Sequence, residues 1–180
     1  YVKTSIGLDN IPPRLVKLGS QIISKPLSQL VNETIIKQTN FPEAEKIACV
    51  TPAFKKEDRL DKKNYRPISV LNVFSKIFER FIHGQLIPYF NDILSDFLSA
   101  YRKQYGCQHV LLRMIETWRK CLDENKVVSA ILMDLSKAFD CLPHDLLVAK
   151  LEAYGLDNDA LKLILSYLSG RKQCVRNEGC

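Results

Sequence analysis

Nine consecutive residues in the last third of the chain, Val127-Val128-Ser129-Ala130-Ile131-Leu132-Met133-Asp134-Leu135, restrict the fold more than any other stretch. The run is almost continuously apolar and β-branched at its start, which predicts a central strand covered on both faces. Asp134 then falls at its C-terminal end. A carboxylate there is costly unless it is paired or bound to a metal ion, or unless it caps the turn that follows, and the local pattern leaves both uses open. The run is far shorter than the roughly 20 residues needed to cross a bilayer, so no membrane span is expected.

Periodicity lays out the elements around it. Gly7-Leu8-Asp9-Asn10-Ile11-Pro12-Pro13 is turn-rich, and Leu15, Leu18, Ile22, Leu27, Leu30, Val31 and Ile35 give helical spacing over Arg14 to Lys37. Pro26 is expected to break or kink that stretch into two helices. Ile47 to Phe54 reads as a strand, Lys55 to Lys63 as a charged loop, and Tyr65-Arg66-Pro67-Ile68 as extended backbone before proline. From Asn72 the stripe Val73, Phe74, Ile77, Phe78, Phe81, Ile82, Leu86 predicts a helix ending near Pro88, and Val110 to Leu122 predicts another over Gln108 to Glu124. Pro143 suits the first turn of a helix stopped by Gly155. Asp157 suits the cap of the next, which ends at Gly170. Gln173 to Arg176 is expected to open a strand whose partner lies outside the chain.

With 26 Lys+Arg against 20 Asp+Glu, the net charge of +6 and pI near 9.0 favour anionic partners, nucleic acid or acidic membrane surfaces. The six cysteines form no CxxC pair, so reduced thiols in an intracellular protein are expected. Cys107 and His109 are followed by no second ligand pair at zinc-site spacing. No signal peptide is visible, Tyr1 reads as a cut end, and a nuclear or cytoplasmic location is expected.

Ile131-Leu132-Met133-Asp134-Leu135-Ser136-Lys137-Ala138-Phe139-Asp140, followed by Pro143-His144-Asp145-Leu146-Leu147, resembles motif A of non-LTR retrotransposon reverse transcriptases of the LINE and jockey-like group. Tyr65-Arg66-Pro67-Ile68-Ser69-Val70-Leu71 with Lys76-Ile77-Phe78-Glu79-Arg80 is similar to that family's first fingers motif. Phe97-Leu98-Ser99-Ala100-Tyr101-Arg102 is similar to the next, Gly7 to Pro12 to the one before, and Ser166 to Arg171 to the segment after motif A. Three places depart from the pattern. Ala100-Tyr101-Arg102 stands where Gly-Phe-Arg is usual, Gly106-Cys107 where Ser-Thr is usual, and Phe54 where Pro is common.

The resemblance implies an RNA-directed DNA polymerase that transfers nucleotides with Mg²⁺, taking an RNA template, a DNA primer and deoxynucleoside triphosphates. By it, Asp134 is a carboxylate ligand of the metal pair and the Leu135 carbonyl a further ligand. Phe139 lies under the sugar and excludes a 2′-hydroxyl, or is a plain core aromatic. Lys55 and Arg66 reach the triphosphate, although Lys55 also reads as part of a solvated loop. Arg102 lies along the template channel or forms a surface ion pair, while Asp140 and His144 read as turn and helix-start residues. The implied fold is α+β, mostly helical with a few short strands: right-hand polymerase fingers over 1–125 and the start of a palm over 126–180. Motifs B and C are expected beyond Cys180, so the isolated chain is expected to be inactive. The alternative is a non-catalytic nucleic-acid-binding remnant of a decayed or domesticated element.

Overall fold

The structure, a computed structural model, describes residues 6–135, 138–139 and 141–175. The expectations placed on Tyr1, Asp140, Arg176 and Cys180 lie outside the described residues. Helices and one small sheet mix in an α+β arrangement, and the chain divides into two compact units, Tyr1–Leu86 with Pro143–Cys180, and Ile87–Leu142.

In the first unit, α1 (Pro13–Leu18) and α2 (Ser20–Val31) are separated at Gly19, and α2 runs through Pro26 into a wider-wound turn, Asn32–Lys37. The division expected at Pro26 is thus displaced to Gly19. A proline inside a helix removes one amide donor, but the wide turn and the burial of Val31 and Ile35 hold the remaining turns in line. The strand β1 (Ile47–Phe54) pairs antiparallel with β2 (Tyr65–Leu71), with Ala53 opposite Arg66 and Pro52 opposite Pro67. Lys55 N–H donates to the Asn64 carbonyl at 2.8 Å, which makes Ala53–Arg66 a hydrogen-bonded pair and Pro52–Pro67 a non-hydrogen-bonded one. Neither proline therefore removes a ladder bond.

The other edge of β1 receives β3 (Lys172–Val175) in parallel, from Ile47 opposite Lys172 to Val50 opposite Val175. This corrects the expectation that the last strand has its partner outside the chain.

The helix α3 (Val73–Asn91) continues past Pro88, and Phe78 on its buried face completes a core with Val31, Ile35 and Phe41. Phe41 meets Phe78 edge-on at 6.1 Å and Tyr167 at 5.0 Å. Tyr167 comes from α6 (Asn158–Leu168), whose Ser166 hydroxyl accepts from Phe41 N–H at 3.0 Å. Burial, and then its bond to Glu79 at 2.7 Å, push the Tyr167 phenol up to about 12. The preceding helix α5 (His144–Ala153) ends as expected at Gly155. There φ is +91° and the amides of Gly155 and Leu156 return to the carbonyls of Glu152 and Leu151. Asp157 caps α6 by accepting from Ala160 N–H at 2.8 Å.

The N-terminal turn docks where β2 meets α3. Asp9 N–H reaches Asn72 Oδ1 at 3.4 Å, and a Cβ on Gly7 would stand 2.5 Å from that oxygen, so only glycine allows the approach. Asn72 and the Ser75 amide also bond the Glu45 carboxylate, and Asp9 Oδ2 and Glu45 Oε2 are buried without hydrogen-bond partners among the described residues. Burial raises the Glu45 carboxyl above its ordinary value. The two hydrogen bonds work against this, and the Asp9 charge adds to it.

The second unit contains the end of α3 and α4 (Cys107–Asp123). Residues 126–135 form no strand. This overturns the central strand expected over Val127 to Leu135: no strand among the described residues pairs with it, and Val127 and Met133 are 94% and 88% exposed. An apolar run becomes a buried strand only when a neighbouring strand supplies ladder bonds and other elements cover its faces. Among the described residues no helix is long and apolar enough to cross a membrane.

Candidate polymerase site

The β1–β2 hairpin, in the first unit, gathers the first group of candidate residues. Strand alternation puts Ala53 and its cross-strand partner Arg66 on one face, and Lys55 two residues past Ala53 on the same face, so the pairing gathers both cations at the loop end. Three carboxylates between them act locally. Asp58 accepts from Leu60 N–H at 2.9 Å, Asp61 caps the short turn Lys62–Asn64 through Lys63 N–H at 2.9 Å, and Glu57 pairs with Lys56 at 3.3 Å. The Arg59 guanidinium lies 5.2 Å over the Phe54 ring, and the Tyr65 hydroxyl donates to the Arg59 carbonyl at 2.9 Å. Among the described residues Lys55, Lys62, Lys63 and Arg66 form no ion pair. Residues 55–66 carry a net +3 of the chain's +6, so half of the excess positive charge sits on one ordered tip. Lys62 and Lys63 were legible in the sequence only as part of a charged loop. Their placement on the short turn that leads into β2 needs the structure.

The other residues singled out in the sequence belong to the second unit. Asp134 is exposed on the irregular segment, with Leu135 beside it at 77% exposure. Among the described residues no group of three or more His, Cys, Asp or Glu side chains could hold a metal ion. Mg²⁺ demands about six oxygens in near-octahedral array, and one carboxylate with one carbonyl falls well short of that set. The described residues therefore do not by themselves fit a magnesium centre.

Phe139 is exposed and meets the Tyr101 ring, a neighbour the sequence reading did not assign. In this structure the ring is 77% exposed. Arg102 donates to the carbonyls of Asn91 at 3.2 Å, Ser95 at 3.2 Å and Leu98 at 3.4 Å, and lies 5.2 Å from the Tyr105 ring. It forms no ion pair among the described residues. Three of its five N–H donors are thus engaged with its own loop.

Cations gathered on a hairpin tip, an aspartate in an apolar segment and an exposed aromatic five residues beyond it lie within one stretch of sequence relationship. Residues 54–180 match the reverse transcriptase (RNA-dependent DNA polymerase) family, and the chain belongs to that family. Among named relatives it is similar to the RNA-directed DNA polymerase from mobile element jockey of Drosophila funebris, 27% identical over 84% of this chain and 17% of that protein. Two Drosophila melanogaster proteins, named as probable RNA-directed DNA polymerases from transposon BS and transposon X-element, are 26% and 28% identical over 97% and 82% of this chain. The chain spans 19% of the transposon BS protein and 16% of the X-element protein, less than a fifth of the length of each relative.

Proposed function

We propose that this chain is the fingers, residues 1–125, and the beginning of the palm, residues 126–180, of a right-hand RNA-directed DNA polymerase from a jockey-like retrotransposon. The observation that carries the reading is the single match over 54–180, which contains Lys55, Arg66, Arg102, Asp134 and Phe139 together. The polymerase joins the primer's 3′ oxygen to the α-phosphorus of a deoxynucleoside triphosphate, displacing pyrophosphate, with an RNA strand as template. Arg66 offers a planar fork to two phosphate oxygens and Lys55 a mobile point charge, and neither has a competing carboxylate partner among the described residues. Phe139 presents an apolar ring where a 2′-hydroxyl would be left without a hydrogen bond. Arg102 has two N–H donors left for a template phosphate. Asp134 contributes one carboxylate, with the Leu135 carbonyl, toward Mg²⁺. The other ligands must come from elsewhere in the polymerase, because one carboxylate cannot hold a metal pair.

The test is primer extension on an RNA template by a longer protein that includes this chain, compared with residues 1–180 alone. The short chain should give no extension above background. In the longer enzyme Asp134→Asn keeps size and hydrogen-bonding capacity but removes the negative charge, so extension should fall by several orders of magnitude while template affinity stays the same. Near-normal extension by that variant overturns the assignment of Asp134.

A further inference from the structure

In the unit Ile87–Leu142 two aromatic rings stand in solvent against each other. Tyr101 is 85% exposed and Phe139 77% exposed, their centroids are 6.2 Å apart and their planes cross at 77°. Edge-to-face contact of this kind restrains the plane of each ring. Tyr101 also adopts φ +60°, a left-handed conformation that a bulky residue seldom takes unless its surroundings enforce it. The enforcement is visible next door. Arg102 gathers the carbonyls of Asn91, Ser95 and Leu98 around one guanidinium, while Arg113 donates to the Asp96 carbonyl at 2.8 Å and lies 4.2 Å over the Phe97 ring. Two arginines thus tie down the loop that carries Tyr101, and the strained residue just before Arg102 turns its ring outward to Phe139 instead of folding it away.

We propose that Tyr101 is a positioning residue for sugar selection: its ring fixes the plane of Phe139, and with it the barrier that a nucleotide's 2′-hydroxyl meets. This rests on the reading of Phe139 as the sugar-facing ring. Tyr101 need not touch the nucleotide, because it acts through the ring it contacts. The phenol oxygen plays no part, so phenylalanine should serve as well.

The experiment measures kcat and KM separately for deoxynucleotide and ribonucleotide insertion by the full-length polymerase and its Y101G, Y101F, F139A and Y101G/F139A variants. Glycine accepts φ +60° without strain, so Y101G removes the ring while easing the backbone, and thermal unfolding verifies the fold. Y101L, which keeps bulk without a ring, is read in the same way. F139A should relax discrimination, and Y101G and Y101L should lower the deoxynucleotide-to-ribonucleotide ratio of kcat/KM about 2- to 10-fold, the range expected for losing one ring pair, chiefly through the ribonucleotide KM. Y101F should keep the wild-type ratio, and the double variant should be no more permissive than F139A alone. Discrimination retained by Y101G and Y101L while F139A relaxes it overturns the role of Tyr101 and leaves the sugar-facing ring standing. Additive effects in the double variant also overturn it, since Tyr101 would then act independently of Phe139. If F139A itself retains discrimination, the sugar-facing reading falls and the role of Tyr101 falls with it.

Discussion

Glu45 carries one oxygen that is buried and unpartnered, close enough to Asp9 for the two charges to disfavour each other. Its carboxyl is raised above 4.5 in the fold, so between that value and its folded pKa the native state holds more protons than the unfolded chain. Stability from this group is therefore complete below about 4.5 and is lost as pH rises through the folded pKa, leaving a cost at neutral pH. Glu45→Gln removes the charge but keeps acceptors and donors for Asn72 and Asp9. Urea unfolding should find the variant more stable than wild type near pH 7, with the gap closing as pH falls toward about 4.5. A gap that is the same at both pH values would mean that charge at Glu45 is not its source.

At the scale of the element, the β1–β2 hairpin converts two cations eleven residues apart in sequence into neighbours on one face. Asp58 and Asp61 order the tip through backbone amides rather than by neutralising the lysines, so the positive charge stays available. In the longer polymerase, Arg66→Ala should lower kcat/KM for the incoming nucleotide about 10- to 100-fold, the effect of losing charge-assisted hydrogen bonds to phosphate, and most of the loss should appear in KM. Arg66→Lys should recover only part of it, because an ammonium cannot bind two oxygens in the same planar geometry. Steady-state kinetics on a primed RNA template decides this. An unchanged KM in Arg66→Ala removes Arg66 from the nucleotide.

Over the whole chain, the excess charge of +6 is uneven, with +3 on residues 55–66, while large apolar side chains such as Ile22, Leu60 and Val127 face solvent. A concentrated basic tip binds phosphates with little regard to sequence. Titrating a labelled single-stranded oligonucleotide into the protein at two salt concentrations should give affinity that falls with a log–log slope of about −2, since roughly three phosphates are neutralised at about 0.7 each. Neutralising Lys62 and Lys63 together should flatten that slope by more than one unit. Salt-independent binding would rule out a phosphate-dominated contact.

What could be read from the sequence alone was whatever depends on neighbours a few residues away. The bounds of β1, the span of α4, the Asp157 cap and the stop at Gly155 follow from an apolar run bounded by lysines, 3.6-residue periodicity, a side chain three residues from its amide, and a positive φ that glycine adopts freely. The motif that identifies the family is likewise continuous in sequence. Tertiary structure decided what depends on distant partners. It settled that β3 lies along β1, that α2 runs through Pro26 to a buried Val31, and that Tyr101 meets Phe139 across 37 intervening positions in the chain. The run 127–135 makes the same point in reverse. Its composition satisfies every local condition for a central strand, yet a strand also needs ladder bonds and cover from elements remote in sequence, and without them among the described residues the apolar side chains stay in solvent.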